Sequence, residues 1–154
     1  MESSAPTSQQ LPINSVVVAE EIVHGTVTIT PLESQPPFML SGHGDHWSTT
    51  AEDLILQLPS PTQTTPTPPT SIRYNIIFTL SSSNHTFDSP ALEITQIGQN
   101  AFICPPAQSE GGTIAVSFLN AVTAPVTYSL GFRIKPLGGT TINWDPAVAF
   151  NPPE

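Results

Sequence analysis

Two histidines and an aspartate lie within four residues, His43-Gly44-Asp45-His46, directly before Trp47. Imidazole nitrogens and carboxylate oxygens are ligands that Zn²⁺ and other borderline cations accept in proteins. The other histidines that could add a ligand are His24 and His85. The spacing fits no zinc template, so the favoured interpretation is a solvated loop anchored by Trp47, with no metal or other cofactor. A metal site at His43, Asp45 and His46 stays open as the alternative.

Other motifs that would indicate catalysis are missing from the sequence. It contains no Gly-x-Ser-x-Gly turn to expose a nucleophilic serine and no Gly-x-x-x-x-Gly-Lys loop to hold phosphates. The acidic pairs Glu20-Glu21 and Glu52-Asp53 are adjacent, so on a strand the two carboxylates of each pair would face opposite ways. A glycosidase needs two carboxyl groups facing each other across a cleft. The sequence therefore predicts a protein without catalytic residues.

Charge excludes two classes of partner. The formal net charge of the 154 residues is -9, and the only lysines and arginines are Arg73, Arg133 and Lys135. So few cations cannot neutralise a run of phosphates, which argues against nucleic acid and against anionic membrane surfaces. The sequence has neither a signal-peptide pattern at its start nor an apolar run long enough to span a membrane, so a cytoplasmic location is expected.

Cys104 is the only cysteine, so no disulfide can form within the chain. It lies in the apolar run Ala101-Phe102-Ile103-Cys104-Pro105, which is typical of a buried, inert thiol. A nucleophilic role for this thiol is the less favoured alternative.

Apolar residues alternate with polar ones over several short segments. Every even-numbered residue from Val126 to Ile134 is apolar, and the same holds from Ile72 to Leu80. This period of two indicates strands with one face in a core and the other in water. Eighteen prolines argue against long helices. The sequence therefore predicts an all-β protein, an immunoglobulin-like antiparallel β-sandwich of seven to nine strands.

Three regions are predicted. Residues 1–12 form a flexible tail, residues 13–146 a single β-sandwich domain that opens with a strand at Val16–Val18, and residues 147–154 a proline-rich C-terminal tail. Within the domain, 59–70 (PSPTQTTPTPPT) lacks apolar side chains to bury and should be an exposed, extended loop. A PxxP-type ligand motif at Pro66–Pro69 is the alternative.

The C-terminal half resembles a known family. The similar segments are Tyr74–Leu80, Thr86-Phe87-Asp88, Thr141–Pro146 and Asn151-Pro152-Pro153. Over residues 71–154 these segments resemble the bacterial DP-EP family of small domains of uncharacterised function. The resemblance implies an immunoglobulin-like sandwich with no established activity.

The resulting expectation for function is a non-catalytic binding or self-assembly module. The alternatives are a metal-dependent enzyme using the His43–His46 loop and a carbohydrate-binding sandwich with an exposed Trp47. A homodimer or higher homo-oligomer is expected, because one lysine cannot guard the strand edges and Thr127, Ser129 and Gly131 carry no charge. An unidentified protein or glycan ligand is also compatible with this interpretation.

Overall fold

The computed structural model of the protein describes residues 20–94, 100–105 and 111–154. These ranges contain thirteen β-strands and no helix. In chain order the strands are β1 Glu20–Pro31, β2 Phe38–Ser41, β3 His43–Gly44, β4 Trp47–Thr49, β5 Asp53–Gln57, β6 Ser71–Leu80, β7 His85–Glu93, β8 Ala101–Cys104, β9 Thr113–Asn120, β10 Val126–Ser129, β11 Gly131–Pro136, β12 Ile142–Trp144 and β13 Ala147–Asn151. The predicted tail at 1–12 and the predicted strand at 16–18 lie outside the described residues.

Sheet A contains five strands in the order β2-β1-β6-β9-β8. Strand β1 runs parallel to β6, from the pair Glu20–Ser71 to the pair Ile29–Leu80, and β6 is antiparallel to β9. The alternation of apolar and polar residues determines which face of each strand is buried. In β6 the even-numbered residues are buried, as the sequence predicts: Ile72, Tyr74, Ile76, Phe78 and Leu80.

The opposite layer consists of sheet B, in the order β10-β13-β5-β4-β3, and sheet C, in the order β12-β11-β7. One long hairpin joins the two sheets. Strands β10 and β11 form its first arm, and strands β12 and β13 form its second arm; β10 pairs with β13 in sheet B, and β11 pairs with β12 in sheet C. Its register does not change between the sheets: Ser129 pairs with Ala147, and Phe132 pairs with Trp144. Between these pairs the Leu130 N–H donates to Pro146 O at 2.8 Å.

Aromatic contacts connect sheet A with both sheets of the opposite layer. Phe78 of β6 meets Phe132 of β11 edge-on, with ring centroids 5.0 Å apart. Phe118 of β9 meets Phe150 of β13 at 6.4 Å. All four rings are fully buried, and one cluster of buried apolar side chains includes residues of all three sheets. These contacts confirm the predicted all-β sandwich.

The strand inventory differs from the prediction in two respects. Thirteen strands replace the expected seven to nine, because several are only two to four residues long and bends divide what the sequence pattern presents as one segment. Two pairs, β1 with β6 and β13 with β5, are parallel within a mainly antiparallel fold. The first pair crosses between segments about fifty residues apart, a pairing that local patterns cannot reveal.

The prediction of a tail at 147–154 is wrong for residues 147–151. These form β13, which lies between β10 and β5. Val148 and Phe150 are fully buried, while Ala147 and Ala149 are half-buried, so the segment alternates like any other strand. The prolines on both sides, Pro146 and Pro152, conceal this short alternation in the sequence.

Two predictions of side-chain burial also need correction. Cys104 is exposed, because Ala101 and Ile103 occupy the core-facing positions of β8 and leave Phe102 and Cys104 on the outside. In the hairpin, Leu130, Phe132 and Ile134 are fully buried as predicted. Val126 and Tyr128 are only half-buried, because β10 is the edge strand of sheet B.

Candidate functional site

The predicted metal ligands lie in and beside the short hairpin of β3 and β4. His43 and Asp45 are exposed, and His46 is half-buried with a positive φ of 65° at the turn. The Nε2 atom of His46 lies 3.7 Å from Glu21 Oε2 of β1. Among the described residues, no three His, Cys, Asp or Glu side chains are close enough together to hold a metal ion. The turn therefore brings His46 to a carboxylate and not to a set of ligands.

Trp47 is buried, with 4% of its surface exposed. A methyl group added at Gly25 of β1 would lie 2.8 Å from Trp47 Cε2, and one added at Gly44 of β3 would lie 2.7 Å from the same atom. Glycine at both positions therefore allows the indole to lie directly on the backbone of two strands. The prediction of Trp47 as an anchor is confirmed. The carbohydrate-binding alternative depends on an exposed Trp47, and that predicted exposure is wrong.

A groove of about 690 Å³ lies at one end of the sandwich. We call it the terminal groove. It lies where β5, β9 and β13 end and where β6 and β8 begin. Its lining residues are Leu58, Thr70, Ser71, Asn100, Phe102, Leu119, Ala121, Val122, Thr123, Pro152 and Pro153. The volume lies within the range of about 300–1,000 Å³ that small-molecule sites occupy.

Asn120 joins the two layers beside the terminal groove. This side chain, fully buried at the end of β9, donates from Nδ2 to Leu56 O at 3.1 Å and to Asn151 O at 3.2 Å. Its Oδ1 accepts from the Val122 N–H at 3.2 Å, which fixes the start of the segment that lines the groove. One side chain thus holds three chain segments in place, and buried side chains satisfied in this way specify a single arrangement.

Tyr74 supports the same end of the sandwich from within the core. Its hydroxyl donates to Gln57 O at 3.4 Å. Burial raises the pKa of the Tyr74 hydroxyl far above its usual range, and the hydrogen bond with Asn120 only partly opposes this effect. The hydroxyl is therefore protonated, and remains a hydrogen-bond donor, across the physiological pH range.

None of the described residues that line the terminal groove is ionisable. Their polar groups are hydroxyls and one amide, and the rest of the lining is aliphatic, aromatic or proline. Ser71 is 2% exposed, and its Oγ has no hydrogen-bond partner in the described part of the chain. An unpaired buried hydroxyl costs roughly 1–3 kcal/mol. Ser71 therefore offers unused hydrogen-bonding capacity beside an apolar surface.

A second, smaller recess of about 390 Å³ adjoins the terminal groove and shares Thr70 and Pro153 with it. Its other lining residues are Pro59, Pro61, Thr67, Pro68 and Pro69, so it is formed by the predicted proline-threonine loop. The chain end is tied to this loop, because the Glu154 N–H donates to Ser60 Oγ at 2.9 Å and Gln57 Nε2 donates to Pro152 O at 2.7 Å. The loop is mostly exposed, as expected, but it also forms one wall of a concave surface.

Sheet C carries a cluster of charged and polar side chains. Asp88 of β7 accepts a short hydrogen bond from Thr141 Oγ1 and lies 3.6 Å from Arg133 Nη2 of β11. The Thr141 hydrogen bond is the main reason that the pKa of the Asp88 carboxyl lies below its usual value, and Arg133 and Lys135 act in the same direction. The Arg133 guanidinium also donates to Ser89 O. These contacts join β7, β11 and the segment before β12, which is a structural role.

Sequence analysis did not identify the terminal groove. Its lining residues are distributed over five segments near strand ends, and most of them are ordinary apolar residues. The sequence gives one signal: Leu58, Val122 and Pro152 are apolar residues that follow strand ends, where turn residues are usually polar.

No protein-family model matches this chain, and a search among curated proteins finds no significant match either. The resemblance to the DP-EP family stays a prediction. No helix in the described ranges is long and apolar enough to cross a membrane. Inference of function for this chain therefore depends on the groove, the sheet faces and the distribution of charge.

Proposed function

We propose that this β-sandwich is a non-catalytic binding module and that the terminal groove holds its ligand, an uncharged and mostly apolar small molecule. The observation that carries the proposal is the lining: about 690 Å³ of concave surface, apolar for the most part, with no ionisable side chain among the described lining residues. Ligand sites commonly combine such a surface with a few polar groups that orient the ligand. Thr70, Thr123 and Asn100 supply those groups here.

The same lining favours binding over catalysis. General acid–base and nucleophilic steps need a titratable or activated side chain within reach of the reacting atoms. Hydroxyls and an amide without a neighbouring base do not provide one. The metal-dependent alternative has lost its support, because His43 and Asp45 are exposed and His46 contacts Glu21. The carbohydrate-binding alternative needs an exposed Trp47, and Trp47 is buried.

Charge determines which ligands the groove would accept. A ligand with a net charge would have to be desolvated against an apolar lining without a partner, which is costly. An anion would in addition be repelled by a chain of net charge -9. A neutral ligand avoids both costs, and its binding free energy becomes more favourable by about 25 cal/mol for each Å² of apolar surface that it buries.

A neutral fluorescent probe, N-phenyl-1-naphthylamine, tests the proposal with the full chain. We expect its fluorescence to rise on binding with a micromolar dissociation constant. The substitution Thr123→Glu should raise that constant at least about tenfold, because it places an unpaired carboxylate in the groove. The matched control is Thr127→Glu, at an exposed position of β10 outside the groove, which should change the constant by less than about twofold.

A second variant separates ligand contact from folding. Ser71→Ala should leave the free energy of unfolding unchanged or raise it, because it removes an unsatisfied hydroxyl. It should change the probe dissociation constant by less than about twofold, because the Ser71 Oγ is buried beneath the groove surface. Absence of probe binding to the wild type, or equal loss in Thr123→Glu and Thr127→Glu, would contradict the proposal.

A further inference from the structure

The outer face of sheet A extends over strands β1, β6, β9 and β8. Side chains on it come from the even-numbered residues of β1 between Ile22 and Thr28 and the odd-numbered residues of β6 between Arg73 and Thr79. The odd-numbered residues of β9 continue it, followed by Phe102 and Cys104 of β8. We call this surface the A face. The residues that alternate with these in β6 are the buried core residues, so the face is set by the pleat of the sheet.

Exposed apolar side chains are concentrated on the A face. Of the five large hydrophobic residues exposed in the described part of the chain, three lie here: Ile22 at 56%, Ile77 at 43% and Phe102 at 45%. Ile22, Arg73, Leu119 and Phe102 follow one another across the four strands, since each pairs with the next. Ile77 lies nearer the middle, between Thr26 and Ala115. Arg73 and Thr26 lie between these apolar side chains, so the A face is a mixed surface with exposed apolar residues, and such residues are common at interaction surfaces.

The described side chains of the A face carry no negative charge. No carboxylate is found among the side chains that the structure describes on this face. Glu21 of β1 contacts His46, and Asp88 belongs to the cluster on sheet C. Two copies of a chain with a net charge of -9 repel each other over about 8–10 Å at moderate salt. Their repulsion is smaller when two surfaces meet whose described side chains include no carboxylate.

The size of the A face suits a stable dimer. Eight paired residues, from Ile22–Arg73 to Ile29–Leu80, at about 3.3 Å each, and four strands about 4.8 Å apart give a flat area of roughly 400–500 Å². Side-chain relief makes the accessible area larger than the flat area. Standard interfaces bury about 800 Å² on each partner, so the face is of comparable size.

We propose that a second copy of this chain packs on the A face, with the two sheets related by a two-fold axis. A two-fold arrangement lets the same patch serve both copies and closes the assembly at a dimer. Ile77 lies close to the axis and contacts the apolar residues of the partner's face. The terminal groove shares Leu119 and Phe102 with the A face, so the two proposals are separated by variants at residues that only one of them uses. The proposal also differs from association through β10, whose open edge is only four residues long.

Light scattering of the full chain across the micromolar range tests the proposal. The wild type is expected to change from one chain to two as its concentration rises. Ile77→Glu should raise the dimer dissociation constant about 30-fold or more, because it places a carboxylate at the centre of an apolar contact. The control is Leu137→Glu, which adds the same charge at an 83% exposed position in the turn after β11 and should leave the constant unchanged.

The reactivity of the native Cys104 thiol gives a second measurement of dimer formation, and no cysteine has to be introduced. The thiol lies on the A face and is exposed in the single chain, so reaction with Ellman's reagent should slow as the wild type dimerises. In Ile77→Glu the reaction rate should not depend on protein concentration. A mass of one chain at all concentrations, a dimer that Ile77→Glu does not weaken, or a thiol equally reactive in both states would overturn the proposal. Thr123→Glu should dimerise like the wild type, which separates this result from failure of the groove.

Discussion

The substitution Gly25→Ala tests how Trp47 is packed. Gly25 pairs with Ile76 across β1 and β6, so its backbone cannot easily move away. Its new methyl group would lie 2.8 Å from Trp47 Cε2, closer than two carbon atoms can approach. Because Trp47 is 4% exposed, the indole has little room to shift. Overpacking of a core costs about 1–3 kcal/mol. Removing a glycine returns about 0.4–1 kcal/mol through the unfolded chain, so we expect a net loss of about 1–2 kcal/mol.

Urea unfolding followed by fluorescence measures this loss, and a double-mutant cycle identifies its cause. In a Trp47→Leu background the clashing ring is gone, and Gly25→Ala should be neutral or stabilising; Trp144 remains as the reporter. The control Gly112→Ala adds a methyl group 4.0 Å from its nearest neighbour and should not destabilise the wild type. If Gly25→Ala costs the same with and without the indole, the packing argument is refuted.

Other predictions concern the polar contacts and the loop. Asn120→Ala should lower the free energy of unfolding by about 2–3 kcal/mol, measured in urea, because two carbonyl oxygens lose their donor. Thr141→Val should raise the pKa of Asp88 in an NMR titration, and failure to move it would refute the assigned cause. Since the pKa of Asp88 is lowered on folding, its contribution to stability is present above its unfolded-state pKa and is lost as the pH falls through the folded-state pKa. Asp88→Asn should remove that part of the acid sensitivity. Replacing 61–67 by a short Gly-Ser segment should change stability by no more than about 1 kcal/mol, because these residues are exposed.

Sequence patterns predicted the faces of the long strands, because the period of two reflects local backbone geometry. The buried positions of β6 and of β11 were predicted from alternation alone. β13 was missed because five alternating residues between prolines look like a tail, and only the neighbouring strands β10 and β5 give them a core to enter. Cys104 was misassigned because an apolar run does not reveal which of its residues face inward.

The candidate site was harder to predict than the fold, because its residues meet only through long-range pairing. The sequence draws attention to His43, Asp45 and His46, which are close in the chain but do not converge in space. The same stretch contains Gly44, whose role depends on contact with Trp47. The groove joins Leu58 with residues near 120 and 152, and no local pattern connects such distant segments.

The most direct test of the binding function is an NMR titration of the full chain with N-phenyl-1-naphthylamine, followed through methyl signals. Binding in the terminal groove predicts that the methyl groups of Leu58, Leu119 and Val122 shift together and saturate with a single dissociation constant. The methyl groups of Leu137, far from the groove lining, should not move. Shifts confined to other surfaces, or no saturable shift in the groove, would contradict the assignment of this groove as the ligand site.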